Sequence, residues 1–91
     1  MSESVKKNNY KITKKKRRKN MAVAVFFAEG YEEIEALTVV DLTRRAGIET
    51  WMAAITEERS VTGSHGINVS MDKTFSEVDF EQVEMIVLPG F

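Results

Sequence analysis

The chain has 91 residues, of which 43% are hydrophobic and 30% charged, a composition typical of a globular protein. It contains no cysteine and one histidine, which excludes disulfides, thiolate or multi-histidine metal sites and a cysteine nucleophile within these residues. No metal or cofactor is expected. No apolar run reaches the ~20 residues of a membrane span, and no secretory signal is recognisable, so we expect a cytoplasmic protein.

The net charge of −1 hides two segments of opposite charge. Residues 1–20 carry nine basic residues and one acid, a balance of +8, whereas residues 21–91 carry four basic residues and thirteen acids, a balance of −9. Because residues 1–20 contain few apolar groups, this basic head is predicted to be disordered. Three interpretations of it stay open: a tail that binds nucleic acid or another anionic surface, an inert charged tail, or untranslated sequence before a start at Met21. The acidic remainder argues against a nucleic-acid-binding face.

The pattern from Met21 onward predicts an α/β domain. The run 21–27 is continuously apolar, as in a strand covered on both faces. A helix is expected over 31–46, because acids lie in its first turn, arginines lie in its last turn and Gly47 can end it. The elements predicted next are a strand over 49–55, a short hairpin over 61–71, a weak helical turn over 74–80 and a strand over 83–88. This order indicates a parallel sheet with right-handed crossovers.

Two features indicate that this domain, residues 21–91, is incomplete. Parallel sheets need helices on both faces, yet the sequence predicts one full helix. The chain also ends at the carboxyl end of a buried strand, where open α/β sheets place their active sites. We therefore expect the N-terminal part of a domain, without catalytic activity by itself.

The carboxylate of Glu35 is the main candidate for chemistry. On a helical wheel it falls within the apolar stripe formed by Val39, Leu42 and Ala46, so it is predicted to face the core or a cleft. A carboxyl group in such a place suits proton transfer. The alternatives are that Glu35 reaches past the helix end into solvent or pairs with a basic group.

Other polar and apolar positions have simpler interpretations. Ile34 and Leu37 lie among charged residues on the helix, which indicates either a subunit interface or isolated exposed aliphatics. Glu32 and Glu33 are interpreted as first-turn acids that favour the helix dipole. His65 lies in a glycine-rich turn and is interpreted as a solvated loop histidine rather than a ligand or base.

Three motifs, in order and at suitable spacing, resemble the ThiJ/PfpI family, and in particular its deglycase-like branch. They are AEGYEEIE at residues 28–35, VDLTRRAGI at residues 40–48 and VLPG at residues 87–90. The resemblance covers residues 21–91. It implies a flavodoxin-like (class I glutamine amidotransferase-like) α/β sandwich of parallel strands, of which this chain would be the N-terminal half, in a family whose members are usually homodimers.

The resemblance also implies roles for particular residues. A glutamate at the position of Glu35 hydrogen-bonds the family's cysteine nucleophile, and Gly90 matches the first glycine of a pair whose backbone N–H helps to form an anion-binding pocket. Phe91 replaces the second glycine. Residues of the first helix contribute to the family's dimer interface, which suits Ile34 and Leu37.

The activities that the resemblance implies are glyoxalase or deglycase chemistry on small carbonyl compounds, a response to oxidative stress, chaperone action and, in some branches, peptidase activity. The family's cysteine, its later histidine and its remaining strands and helices lie beyond residue 91. We expect either a truncated family member, produced by a frameshift or premature stop, or an interaction module that dimerises with or complements a separately encoded second half.

Overall fold

A computed structural model of the protein describes the backbone of residues 3–7 and 10–14, and residues 21–90 in full. Strand β1 (Glu3–Lys7) pairs with strand β2 (Tyr10–Lys14) in an antiparallel arrangement that aligns Val5 with Ile12. The sequence predicts disorder for the basic head, whereas these ten residues are described as paired strands; Val, Ile, Tyr and Thr favour the extended backbone that such pairing needs. The other residues of the basic head lie outside the described residues.

The predicted α/β order is present from residue 22 onward. In chain order the elements are β3 (Ala22–Phe27), α1 (Glu33–Arg45), β4 (Thr50–Ala54), β5 (Ser60–Thr62), β6 (Asn68–Ser70), two 3₁₀ turns (Phe75–Glu77 and Phe80–Gln82) and β7 (Val83–Val87). Strands β3, β4 and β7 form a parallel sheet in the order β4-β3-β7, while β5 and β6 form a separate antiparallel hairpin.

A hydrophobic core lies on each face of the sheet, because the central strand β3 has apolar residues on both faces. All six of its residues are buried, and successive side chains alternate between the two faces. Val23, Val25 and Phe27 pack with α1 and the hairpin on one face. Residues Ala22, Ala24 and Phe26 pack on the other face with a group that includes Trp51 and Val78. A strand that is apolar at every position is therefore satisfied only when both faces of the sheet are covered.

The helix presents a different face to the sheet from the one that the helical wheel predicts. Its buried residues are Glu33, Ala36 and Val40, whereas Leu42 and Glu35 are exposed. Of the two places predicted for Glu35, the core or a cleft, the core is wrong, because the face that α1 packs against the sheet is formed by Ala36 and Val40 rather than by Val39, Leu42 and Ala46. Among the described residues, no helix is long and apolar enough to cross a membrane.

Candidate functional site

The first turn of α1 lies against the carboxyl end of β7. The backbone N–H of Gly90 donates to Oε1 of Glu35 at 2.7 Å, and the N–H of Glu32 donates to the carbonyl oxygen of Gly90 at 3.1 Å. A Cβ atom at residue 90 would lie 3.1 Å from Oε1 of Glu35, so glycine permits this close approach. Two positions singled out in the sequence, 55 residues apart, are thus brought into direct contact.

This hydrogen bond determines which atoms of Glu35 and Gly90 are accessible to another group. The carboxylate of Glu35 is exposed at the edge of the sheet where open α/β folds place their sites, so it is accessible to a group that approaches from solvent. The N–H of Gly90, the candidate donor to an anion, is occupied by Glu35. An anion that used this N–H would have to displace the carboxylate.

Among the acids of residues 21–90, the buried one is Glu33, which lies under the turn between β5 and β6 and is 3% exposed. Its Oε2 accepts the backbone N–H groups of His65 at 2.7 Å and Ile67 at 3.4 Å. Its Oε1 lies 2.8 Å from Nδ1 of His65 and 3.4 Å from the hydroxyl of Ser64. As the sequence predicts, Glu33 lies in the first turn of α1 and His65 is an exposed residue of the turn. The sequence did not show that the two side chains are partners.

Gly63 makes the burial of Glu33 possible. A Cβ atom at residue 63 would overlap the carboxyl group and Cγ of Glu33. The backbone of the turn consequently approaches the carboxylate more closely than any residue with a side chain would allow. From the sequence this glycine was interpreted only as part of the hairpin turn, and no local pattern showed that Glu33 packs against it.

The hydrogen bonds around Glu33 control the ionisation of both side chains. Burial by itself raises the pKa of Glu33, but hydrogen bonds from the His65 side chain, the His65 N–H and the Ile67 N–H outweigh it and lower the pKa to about 2. The hydrogen bond to Glu33 and the negative charges of Glu33 and Glu32 raise the pKa of His65 above its ordinary value of 6.5. Glu33 is therefore ionised at neutral pH and favours a protonated His65.

Ser64, His65 and Glu33 have the residue types of a catalytic triad but not its geometry. In a serine hydrolase the acid holds Nδ1 of the histidine, and Nε2 takes the proton of the serine. Here the hydroxyl of Ser64 lies 3.1 Å from Nδ1 of His65, the same nitrogen that faces Glu33. The imidazole cannot relay a proton from Ser64 in this arrangement, so the cluster does not form a serine nucleophile.

The aliphatic residues predicted for an interface lie on a shared surface groove. Ile34 is 76% exposed, and Leu37 is partly buried beside it. The groove has a volume of about 340 Å³ and joins α1 to the hairpin; its lining residues are Glu33, Ile34, Leu37, Thr38, Asp41 and Ile67. The sequence did not identify Ile67 as a neighbour of α1, because that contact depends on where the hairpin packs.

Comparisons with known proteins agree with this architecture. The model of the DJ-1/PfpI family matches residues 21–90. A deglycase of Thermococcus kodakarensis is 33% identical over 70 residues, which make up 77% of this chain and 42% of the deglycase. The chain thus spans about two fifths of the length of this curated relative.

Solved structures confirm the predicted flavodoxin-like fold. An oxidised DJ-1 of Toxoplasma gondii superimposes with a TM-score of 0.72 and 38% identity, over 77% of this chain and 38% of its own. A mutant of a DJ-1 superfamily protein from Salmonella typhimurium superimposes with a TM-score of 0.68 and 39% identity, over 77% of this chain and 38% of its own.

Proposed function

The chain belongs to the DJ-1/PfpI family, and on that basis we propose that it supplies the acidic side of a cysteine-dependent active site without forming a complete site. The complete protein would act as a glyoxalase or deglycase on small carbonyl compounds or respond to oxidative stress. In such a site, a thiolate attacks a carbonyl carbon or is oxidised, and a nearby carboxyl group transfers or stabilises the proton. The 91 residues contain no cysteine, so this chain would have no turnover by itself.

The contact between Glu35 and Gly90 carries the proposal. It holds an ionisable side chain at the carboxyl end of β7 and leaves that side chain open to solvent. A cysteine on a segment that packs beside β7 could approach this carboxylate without any rearrangement of the sheet. Glu33 is less suitable for the role, because its two oxygens are already engaged with the hairpin turn.

The proposal is tested by measuring methylglyoxal consumption, first with the chain alone. We expect the same background rate for the purified chain and for Glu35→Ala. Addition of a cysteine-bearing C-terminal segment from the Thermococcus kodakarensis deglycase should then restore turnover. In that mixture Glu35→Gln should lower the rate by about 10²-fold or more, as removal of a proton-transfer group does.

The matched control for Glu35→Gln is Glu58→Gln, because Glu58 is an exposed acid that follows β4, on the other side of β3 from β7. It should leave the restored rate unchanged. Turnover by the chain alone that depends on Glu35 would show that the cysteine is not needed. Restored turnover that is indifferent to Glu35 would remove Glu35 from the chemistry.

A second candidate function, that of an interaction module, is favoured by the apolar surface around β7. Met85, Ile86 and Leu88 are each at least half exposed, although they belong to or follow a sheet strand. In register, Met85 aligns with Val23 and Ile86 with Ala24, so the two side chains lie on opposite faces of the sheet. No other strand pairs with the outer edge of β7 within residues 21–90. We propose that a separately encoded second half of the domain covers these groups.

The test of this second function is co-purification of the chain with the same cysteine-bearing segment. Ile86→Asp should abolish the complex, because it introduces a charge into the proposed contact. Leu42→Asp is the matched control, since Leu42 is an equally large exposed side chain on α1. An unaffected complex in Ile86→Asp would contradict the proposed use of this surface.

The groove between α1 and the hairpin supports a further proposal about self-association. We propose that two copies meet through Ile34 and Leu37, with Ile67 at the edge of the contact. Sedimentation of the wild type should then show a dimer, and Ile34→Asp should give a monomer while Leu42→Asp stays dimeric. A dimer in which Ile34→Asp has no effect would place the interface elsewhere.

A further inference from the structure

Three phenylalanine rings form an aromatic patch on the face of the sheet opposite α1. The ring centroids of Phe26, Phe75 and Phe80 lie 5.9 to 6.2 Å from one another. Phe26 is buried in the core of that face, whereas Phe75 and Phe80 are 45% and 46% exposed. The exposed surface of the two rings thus adjoins an existing core, and a group that covered them would extend that core.

The ribbon formed by strands β1 and β2 has two faces of different composition. Residues directly opposite each other in an antiparallel ladder belong to the same face, and successive residues alternate between faces. By this register, Val5, Tyr10 and Ile12 occupy positions of one face. The pairs of the other face are wholly polar, namely Ser4 with Thr13 and Lys6 with Lys11. A two-stranded ribbon alone is only marginally stable in water, so its apolar face requires a surface on which to pack.

We propose that the apolar face of this ribbon covers the aromatic patch of the same chain. Ala22, the first residue of β3, aligns with the residue that directly follows the 3₁₀ turn of Phe80. Residues 15–20 join β2 to Met21, and such a connection can span at most about 25 Å. Phe26 lies about 17 Å from Met21 along the extended strand. The ribbon can therefore reach the patch without any change in the sheet.

The charges beside the patch are opposite to those of the basic head. Asp79 and Glu81 flank Phe80 and are exposed, and Glu84 is an exposed residue of the adjoining strand β7. The head has a charge balance of +8 and residues 21–91 a balance of −9, so the two segments attract each other at low ionic strength. A short connection also gives the head a high effective concentration at the patch, which favours the same chain over a second copy.

The experiment places one nitroxide label on the ribbon of the full chain. Because the chain contains no cysteine, Ser4→Cys introduces a single thiol, at a position of the polar face. In about 0.05 M salt, the amide resonances of Phe75 and Phe80 should lose more than about half of their intensity by paramagnetic broadening. The resonance of Thr38, on α1 across the sheet, should lose much less. Equal losses at Phe80 and Thr38, or no loss at Phe80, would overturn the proposal.

A mixed sample distinguishes the head of the same chain from that of a second copy. Chain enriched in ¹⁵N and free of nitroxide is combined with an equal amount of nitroxide-bearing chain at natural isotope abundance. The intensity loss at Phe80 should then disappear. A loss that persists in the mixture would assign the cover to a neighbouring copy and would contradict the proposal.

Two pairs of variants separate the apolar and the charged contributions. Ile12→Thr keeps a β-branched residue but removes an apolar one from the covering face, and it should reduce the loss at Phe80 by about half or more. Its control, Thr13→Ser, changes the polar face and should have no effect. Glu81→Lys should likewise reduce the loss, whereas Asp41→Lys makes the same charge change on α1 and should not. Equal effects within either pair would contradict the proposed contact.

A second measurement keeps the test decisive if the chain is only partly folded. Because Ile12 belongs to the head, Ile12→Thr changes the unfolding of residues 21–90 only if the head packs on them. Trp51, the single tryptophan, belongs to the same core as Phe26, so its fluorescence follows the unfolding of that face. We expect Ile12→Thr to lower the urea midpoint by about 0.5 M and Thr13→Ser to leave it unchanged. Equal midpoints for the wild type and Ile12→Thr would overturn the proposal.

Discussion

Glu33 and Glu35 lie two residues apart in the first turn of α1, yet their surroundings differ almost completely. Glu33 is 3% exposed and contacts the backbone and side chains of the hairpin turn. Glu35 is exposed and accepts the N–H of Gly90. Two helix positions two residues apart point to nearly opposite sides, so one side chain meets the hairpin and the other meets the end of β7. The element opposite each residue, rather than the helix itself, therefore decides which carboxylate stabilises the fold and which stays accessible.

The largest expected effect is the loss of stability when a side chain at residue 63 fills the volume that the Glu33 carboxyl group occupies. Gly63→Ala should lower the free energy of unfolding by about 2–3 kcal/mol, because its Cβ atom and the carboxyl group of Glu33 cannot occupy the same volume. Urea unfolding followed by fluorescence of Trp51, the single tryptophan, measures the change.

Gly90→Ala is the matched control for Gly63→Ala. Its Cβ atom would lie 3.1 Å from Oε1 of the exposed Glu35 side chain, which can shift. We expect a loss within about 0.5 kcal/mol. If Gly63→Ala and Gly90→Ala lose similar free energies of unfolding, the Glu33 side chain is no more tightly held than that of Glu35.

A smaller effect should follow from removing each negative charge in turn. Glu33→Gln should lower the urea midpoint by about 1 M, since an amide group cannot accept all the hydrogen bonds that the carboxylate accepts. Glu35→Gln keeps an acceptor for the N–H of Gly90 and should leave the midpoint nearly unchanged. A larger loss for Glu35→Gln would reverse the assignment of the structural acid.

The pH dependence of stability should distinguish the same two variants. The pKa of Glu33 is lowered from 4.5 to about 2 in the folded chain, so its contribution to stability is present above pH 4.5 and is lost as the pH falls toward 2. The wild type should therefore lose more stability than Glu33→Gln over this range. If the wild type and Glu33→Gln lose the same stability as the pH falls from 4.5 toward 2, the pKa of Glu33 is not lowered in the folded chain.

The smallest effect is expected on the pKa of the exposed His65 side chain. The pKa of His65 is raised because it bonds to Glu33, so its contribution is present below pH 6.5 and is lost as the pH rises through the raised value. An NMR titration should show a lower pKa for His65 in Glu33→Gln than in the wild type. Ser64→Ala, the control, should leave His65 nearly as in the wild type. No difference between Glu33→Gln and the wild type would contradict the pairing.

The sequence predicted the elements of the fold well, because the patterns that specify them are local. The apolar run of β3, the acids and arginines at the two ends of α1, and the breaks at Gly47 and Pro89 all mark element ends within a few residues. The paired strands β1 and β2 were missed, because the density of charge in the basic head outweighed its β-forming residues in the prediction.

The site was predicted less well, because its contacts join distant parts of the chain. Glu35 was selected from the helical wheel and again from a family motif, and Gly90 from a family motif alone. Their hydrogen bond agrees with a shared location, although their chemical roles stay predictions. The partnership of Glu33 and His65 was missed. It depends on the packing of a hairpin against α1, a contact between residues 32 positions apart that no local pattern encodes.

The turn that follows β6 has a consequence for how this sheet can grow. The carboxylate of Asp72 accepts the N–H of Met52, and the N–H groups of Asp72 and Lys73 donate to the carbonyl oxygen of Met52. The N–H of Ala54 donates to the carbonyl oxygen of Lys73. The outer edge of β4 is thus occupied by the chain itself, which protects it from pairing with another strand. A further strand that joins the sheet must therefore pair with the outer edge of β7. Strand β3 then lies in the interior of the enlarged sheet.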